Sequence, residues 1–154
     1  MTSHAEFITH RLINRERKRK RIPPVRWSQE MYHLAKGHSR KMAREGHLFH
    51  TGRPALEGGE NVAGGKGKHS PKELVRCWMG SPLHREWLLD YRVGIAAVGI
   101  SRSRYGTFAA WSFSSGEPDD SPVTGLVAIL YFPFWLFREF FKAMKKTKGE
   151  NKVR

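Results

Sequence analysis

Eight histidines and one cysteine are the side chains of this 154-residue sequence that are best suited to bind a metal or to catalyse a reaction. The histidines form no His-Glu-x-x-His pair and no other short metal-binding spacing. The lone cysteine, Cys77, excludes an intramolecular disulfide framework and an all-cysteine metal site. No base can be assigned to Cys77, so we expect a small buried or half-buried residue rather than a nucleophile.

Most of the histidines predict structural or surface roles. His38 falls on the apolar face of its predicted helix, which favours a hydrogen-bonded core histidine over a metal ligand. We expect five others to be solvated at the surface: His4, His10, His33, His47 and His69.

The glycine-rich segment from Gly58 to Gly67 invites comparison with a phosphate-binding loop. It lacks the lysine followed by serine or threonine that such a loop needs, and no strand is predicted before it. The whole stretch from Thr51 to Lys68 therefore predicts a loop.

Three segments of the sequence carry the signals of a helix start. Ser28 is a good N-cap for a helix whose apolar residues recur every three or four positions up to Gly46. The segment Ser70-Pro71-Lys72-Glu73 combines an N-cap, a proline at the first helical position and a capping-box acid. Ser81-Pro82 repeats the start signal for a shorter helix.

An N-terminal helix and a β-hairpin complete the predicted domain. A short apolar stripe from Phe7 to Ile13 is followed by a basic run at Arg15 and over 17–21, which is as consistent with a solvated helix end as with a nucleic-acid contact. Ile95 to Arg102 and Thr107 to Phe113 predict strands, joined by a tight turn at Tyr105-Gly106. Helices followed by a hairpin predict an α+β fold.

The net charge of +14 is concentrated at the two ends of the chain. Residues 1–26 carry eight basic and two acidic residues, and residues 138–154 carry seven and two. A folded nucleic-acid-binding domain more often spreads its basic residues over one face. Nucleic-acid binding through the basic ends is therefore the least favoured of three functional hypotheses.

An uncharged, aromatic stretch over 121–137 begins the C-terminal tail. As a helix it would reach about 25 Å, short of a bilayer core of about 30 Å. We divide the chain into a domain over 1–115, a linker over 116–122 and a tail over 123–154 that lies on an anionic membrane surface. The expected membrane contacts are Leu130, Phe132, Phe134, Trp135, Phe137, Lys142, Lys145 and Lys146.

The tail has three alternative placements. No secretory signal peptide is visible, so the first is the cytoplasmic face of a membrane. The second is a membrane anchor with the domain outside, which would place the tail lysines in the cytoplasm. The third involves no membrane and docks the tail against its own domain or against a homodimer partner.

Six short motifs follow one another in an order that identifies a family resemblance. They are Asn14-x-x-Arg17, Ile22-Pro23-Pro24-Val25-x-Trp27, Ala35-x-x-His38-Ser39-x-x-Met42-Ala43, Phe49-His50, Gly59-Glu60-Asn61-Val62-Ala63 and Trp78-Met79-x-Ser81-Pro82-x-His84-Arg85. Together they resemble the CAP superfamily, named for cysteine-rich secretory proteins, antigen 5 and pathogenesis-related proteins, in its small cysteine-poor prokaryotic form. The resemblance covers residues 7–113.

The resemblance implies an α-β-α sandwich, in which helices flank a central antiparallel sheet. It also implies a cleft where two histidines and two acids gather, sometimes around zinc. Matched by motif, three of these residues are His50, Glu60 and His84. Animal and plant relatives place the second glutamate shortly after the helix tryptophan, where this chain has Gly80 and Ser81. Lipid and sterol binding, metal binding and occasional proteolysis are the activities proposed for the family.

The residue chemistry is consistent with this implied site. His84 is expected as the third residue of a helix, where the helix dipole disfavours a positive imidazolium and leaves a neutral ring able to ligate metal. Two imidazoles and one carboxylate suit zinc with an open fourth position for water. The alternative is a hydrogen-bonded network of His50, Glu60 and His84 without metal.

These observations favour a membrane-associated CAP-like module that binds a ligand, possible ligands being a small apolar molecule or a divalent metal. The second hypothesis is a zinc-dependent, peptidase-like hydrolase in which Glu60 is a ligand or the general base.

Overall fold

The computed structural model describes residues 2–52 and 58–116, which form a four-stranded sheet with helices on both sides. This arrangement confirms the predicted α+β class. The elements, in chain order, are α1 (His4–Arg19), β1 (Arg26–Trp27), α2 (Gln29–Glu45), β2 (Gly59–Gly65), α3 (Pro71–Gly80), α4 (Pro82–Leu88), β3 (Ile95–Ser103) and β4 (Gly106–Ser114).

The sheet has the strand order β1-β3-β4-β2. The predicted hairpin is confirmed, since β3 pairs antiparallel with β4 up to Ser103 opposite Gly106. Strand β2 pairs antiparallel with the other edge of β4, and the two-residue β1 runs parallel to β3. The mostly antiparallel sheet thus ends in β2 on one side and β1 on the other.

Side chains of β4 alternate between two cores, as the two-residue period of a strand requires. Trp111 and Phe113 join the α1 and α3 side in a cluster that contains the fully buried Trp78. Phe108 and Ala110 pack on the opposite face with Met42 of α2. The sheet is therefore the middle layer of three.

Helix α2 lies directly on the sheet at Gly99 of β3. A Cβ at this position would lie 2.3 Å from the backbone carbon of Ala35, so no larger residue fits without moving the helix. This close approach fixes the height of α2 above the sheet, and with it the side chains along the helix.

The predicted loop over 51–68 is wrong for its central part, which forms β2. Glycine-rich sequence has little preference for strands, but here the pairing with β4 overrides it. Gly58 and Gly64 have φ angles of +120° and +126°, and a Cβ at either would lie within 2.2 Å of a β4 carbonyl oxygen. The glycines allow the edge strand to approach β4 rather than keeping the segment loose.

The interpretation of the basic run as a solvated helix end is wrong for Arg17, which is completely buried. Its guanidinium donates hydrogen bonds to four backbone oxygens: from Nε to Pro23 at 2.8 Å, from Nη1 to Leu88 and Asp90 at 2.9 and 3.0 Å, and from Nη2 to Val93 at 3.0 Å. Burial lowers the pKa of Arg17 to about 10, partly offset by the charge of Asp90. Arg17 thus remains charged at neutral pH and ties α1 to the segment that follows α4.

Two further predictions of side-chain exposure are wrong. His10 is only 5% exposed, because its ring packs edge-on against Trp27 with ring centroids 5.2 Å apart. Cys77 is exposed rather than buried, because it lies beside the inward-facing Trp78 on α3. The predicted linker begins at Gly116, the last described residue, and the tail with all its membrane-contact residues lies outside the described residues.

Within residues 2–52 and 58–116, none of the helices combines the length and apolar character that a membrane crossing requires.

Replacing Arg17 by lysine tests how strongly the domain depends on this buried group. Lysine keeps the charge but cannot donate to four carbonyls in a fixed fork, so we expect the free energy of unfolding to fall by at least about 3 kcal/mol. Urea denaturation measures the change, and Arg11→Lys at an exposed position of the same helix is the control. Equal stability of the two variants would contradict the role assigned to Arg17.

Candidate functional site

The three site residues predicted from the family resemblance lie on different elements near one end of β2. His50 lies in the segment after α2, Glu60 is the second residue of β2, and His84 is the third residue of α4, as predicted. The His50 Nδ1 atom lies 3.2 Å from Glu60 Oε1, and the ring centroids of His50 and His84 are 6.5 Å apart.

Glu60 is held by hydrogen bonds rather than exposed on a loop. It pairs with Ser112 across the β2–β4 ladder, and its side chain is only 12% exposed. Its Oε1 atom accepts the backbone N–H of Thr51 at 2.5 Å as well as the His50 contact. Because a carboxylate only accepts, His50 Nδ1 is the donor, and its Nε2 is directed away from this pair.

His38 is a fourth member of the cluster that the sequence did not assign to the site. Its core position is confirmed: it is 6% exposed, and its Nε2 donates to the Phe49 carbonyl oxygen at 2.7 Å. The same Nε2 lies 3.8 Å from Glu60 Oε1. One signal was available in the sequence: His38 is a polar residue on the apolar face of α2.

His84 is partly buried, unlike the exposed His50. Its Nδ1 atom is buried and has no hydrogen-bond partner among the described residues. Asn61 Nδ2 donates to its backbone oxygen at 2.9 Å, which joins α4 to β2. Burial lowers the pKa of His84, and the nearby positive charge available to His50 lowers it further. The ring is therefore neutral at pH 7, as expected, although desolvation is the main cause.

A cavity of about 510 Å³ opens beside this cluster, between α2, β2, β4 and Trp87 of α4. Its polar lining includes His38, Lys41, His50 and Glu60, and its apolar lining includes Met31, Leu34, Trp87 and Phe113. His84 is not one of its lining residues.

Gly59 and Trp87 shape the cavity next to Glu60. A Cβ on Gly59 would lie 2.4 Å from Phe113 Cζ, so glycine lets the phenyl ring cover the start of β2. The ring centroid of Trp87 lies 5.4 Å from that of Phe113, and the indole remains 39% exposed. The sequence predicts the helix that begins at Ser81-Pro82 but not this role of Trp87, because only the fold brings α4 beside β4.

The histidines do not have zinc-binding geometry as they stand. Two imidazoles that share a tetrahedral zinc ion, with Zn–N bonds of about 2.0–2.1 Å, have ring centroids about 5 Å apart. His50 and His84 are 6.5 Å apart, and among the described residues no three His, Cys, Asp or Glu side chains form a group that could hold a metal ion. The observed arrangement is a hydrogen-bonded Glu–His pair with a second imidazole nearby.

Comparison with known proteins supports the resemblance seen in the motifs. The family model described as CAP, the cysteine-rich secretory protein family, matches residues 10–115. A search of curated protein sequences finds no match.

Two solved structures share the fold at low sequence identity. An extracellular protein containing an SCP domain from Bacillus anthracis is 21% identical with a TM-score of 0.56, over 71% of this chain and 40% of that protein. An outer surface protein from Borrelia burgdorferi is 18% identical with a TM-score of 0.56, over 70% of this chain and 90% of that protein. The chain thus spans less than half of the Bacillus protein.

The protonation of His84 can be followed by NMR titration of its ring. We expect it to titrate below 6.5, the ordinary histidine value, and His50→Gln to raise its pKa by removing a neighbouring positive charge. Because the unfolded chain binds this proton more readily, His84 should also make the fold less stable as the pH falls below about 6.5. A His84 pKa at or above 6.5 would contradict the site description.

Proposed function

Because this chain belongs to the cysteine-rich secretory protein (CAP) family, we propose that it is a CAP module that binds a small, largely apolar ligand in the cavity beside Glu60. The observation that carries the proposal is the cavity itself, of about 510 Å³ and lined by apolar side chains around a few polar groups. Binding sites for small molecules have this size and this composition.

The lining indicates how such a ligand would be oriented. Met31, Leu34, Trp87 and Phe113 offer an apolar surface for the body of the ligand. The exposed ring of His50, held through Nδ1 by Glu60, offers Nε2 to a polar end. A molecule with an apolar body and one hydrogen-bonding group therefore fits the site better than a fully polar one.

Gly37 provides a way to fill the cavity without disturbing the fold. It lines the cavity, and a Cβ at this helical position meets no atom within 4 Å. We expect Gly37→Leu to abolish most of the saturable binding of the neutral dye Nile red, while the melting temperature is kept or raised, because glycine is unfavourable inside a helix. Fluorescence titration and thermal melting measure the two effects.

Gly80→Leu is the matched control, because Gly80 also lies in a helix with open space around its Cβ position but outside the cavity. Equal binding by the parent protein and the Gly37→Leu variant would refute the proposed ligand site.

Zinc is a second candidate ligand, favoured by one specific observation. Within residues 2–52 and 58–116, His84 Nδ1 is buried without a hydrogen-bond partner. The pKa of this ring is lowered, so the neutral imidazole can offer a nitrogen to a cation. Together with His50 and Glu60 it would form a two-imidazole, one-carboxylate set if the rings moved closer by about 1.5 Å. His50 has room to move, since its side chain is 55% exposed. A bound zinc ion would supply a Lewis acid and a water of lowered pKa, the chemistry of a hydrolase.

Zinc titration by calorimetry tests this candidate. We expect His84→Gln and Glu60→Gln each to weaken zinc affinity by at least about tenfold. The Glu60→Gln variant should melt near the parent temperature, because glutamine keeps an oxygen that accepts from Thr51. The control is His47→Gln, at an exposed histidine outside the cluster. No zinc binding by the parent protein, or an equal loss in the control, would exclude this site.

Membrane association through the tail is the third part of the proposal and rests on the sequence over 123–154. The aromatic stretch and the lysines that follow it suit the interface of an anionic leaflet, with the cytoplasmic face as the expected side.

Neutralising three tail lysines, Lys142, Lys145 and Lys146, in the full chain tests the membrane proposal. We expect their combined replacement by glutamine to reduce co-sedimentation with vesicles containing phosphatidylserine, because each cation near an anionic surface contributes about 1 kcal/mol. Replacing Lys66, Lys68 and Lys72 of the domain by glutamine changes the charge equally and should have little effect. Equal losses in both triple variants would mean that net charge, not the tail, drives binding.

A further inference from the structure

A second cavity, of about 590 Å³, lies on the other side of α2 from His38 and is lined mainly by basic and hydroxyl side chains. Its charged and hydroxyl-bearing residues include Lys36, Arg40, Arg44, Arg102, Ser3 and Ser101. Helix α2 thus borders two cavities, since residues 36, 40 and 44 follow one another at four-residue spacing on a face away from His38.

Three arginines give this second cavity an uncompensated positive charge. Arg40 and Arg44 come from successive turns of α2, and Arg102 comes from β3 beside them. All three are exposed, and none of their guanidinium groups makes a hydrogen bond or an ion pair within the described part of the chain. Three guanidinium groups around one cavity repel one another unless an anion neutralises them.

The remaining charged lining residue is already neutralised. Lys36 Nζ donates to Glu6 Oε1 at 2.8 Å and also to the backbone oxygen of Ile100. Glu6 is completely buried, so its carboxylate is not available to the arginines. The Lys36–Glu6 pair therefore adds no net charge to the cavity, and the three arginines contribute about three positive units.

Two further features suit an anion with several oxygens. Ser3 is the N-cap of α1, so the positive end of that helix dipole lies at the cavity wall. The Ser101 hydroxyl lies 2.9 Å from Ser39 Oγ and also lines the cavity. Hydroxyl groups and guanidinium forks are the groups that proteins use to bind phosphate oxygens.

We propose that this second cavity, bounded by Arg40, Arg44 and Arg102, binds a phosphate group. The shared chemistry is a phosphate dianion, and its source is either a free phosphate compound or a phosphomonoester lipid headgroup. The site is separate from the cavity beside Glu60 and does not depend on the ligand proposed there.

Calorimetric titration of the full chain with inorganic phosphate at constant ionic strength tests the site. We expect saturable binding that the double variant Arg40→Gln/Arg44→Gln weakens by about tenfold, since each removed arginine takes away a charge-assisted hydrogen bond at an exposed position. The matched control is Lys72→Gln/Arg76→Gln, which removes two exposed cations at the same four-residue spacing on α3. The control should bind phosphate as the parent does.

Vesicles then distinguish the two sources of the phosphate. If the ligand is a lipid headgroup, the arginine variant should lose affinity for vesicles containing phosphatidic acid relative to the control variant. If it is a soluble phosphate compound, the two variants should bind these vesicles alike while still differing in phosphate titration. Absence of phosphate binding by the parent protein, or an equal loss in both double variants, would overturn the proposal.

Discussion

The buried guanidinium of Arg17 is the interaction on which the arrangement of this domain most depends. A charge removed from water is costly unless hydrogen bonds replace its hydration, and here four backbone oxygens from two segments do so. Three of them come from the turn after α4, between Leu88 and Val93. Helix α4 carries His84 and Trp87, so a group in α1 holds one wall of the candidate site in place.

Glu6, also in α1, has the same function for α2, the helix on the other side of the sheet. Its carboxylate accepts hydrogen bonds from Tyr32 and Lys36 of α2 and from the backbone N–H of Ile100 in β3. These bonds lower the pKa of Glu6 although burial alone would raise it. Helix α1 therefore fixes α2, which brings His38 to Glu60 and presents Arg40 and Arg44 to the second cavity.

Local sequence signals predicted those helices and strands that are favoured by their own residues. Ser28, the apolar period of α2 and the Gly46 C-cap were sufficient for that helix, and the hairpin of β3 and β4 followed from its residue types. Strand β2 could not be predicted from local sequence, because glycine has little intrinsic preference for strands. Glycine is needed at positions 58 and 64 because a side chain there would clash with the backbone of β4. Arg17 was predicted to be a solvated charge because three of its four acceptors are more than 70 residues away in the sequence. The family resemblance implied that His50 and Glu60 lie close together. The proximity of His38 to Glu60 could be found only from the fold.

The most direct measurement of the central claim is an amide NMR map of the full chain titrated with Nile red. The account predicts that the shifts concentrate on residues around the cavity, at Gly37, Thr51, Glu60 and Trp87, and that α3 and the arginines of the second cavity change little. Shifts that cluster elsewhere in the domain while the residues around Glu60 remain unchanged would contradict it.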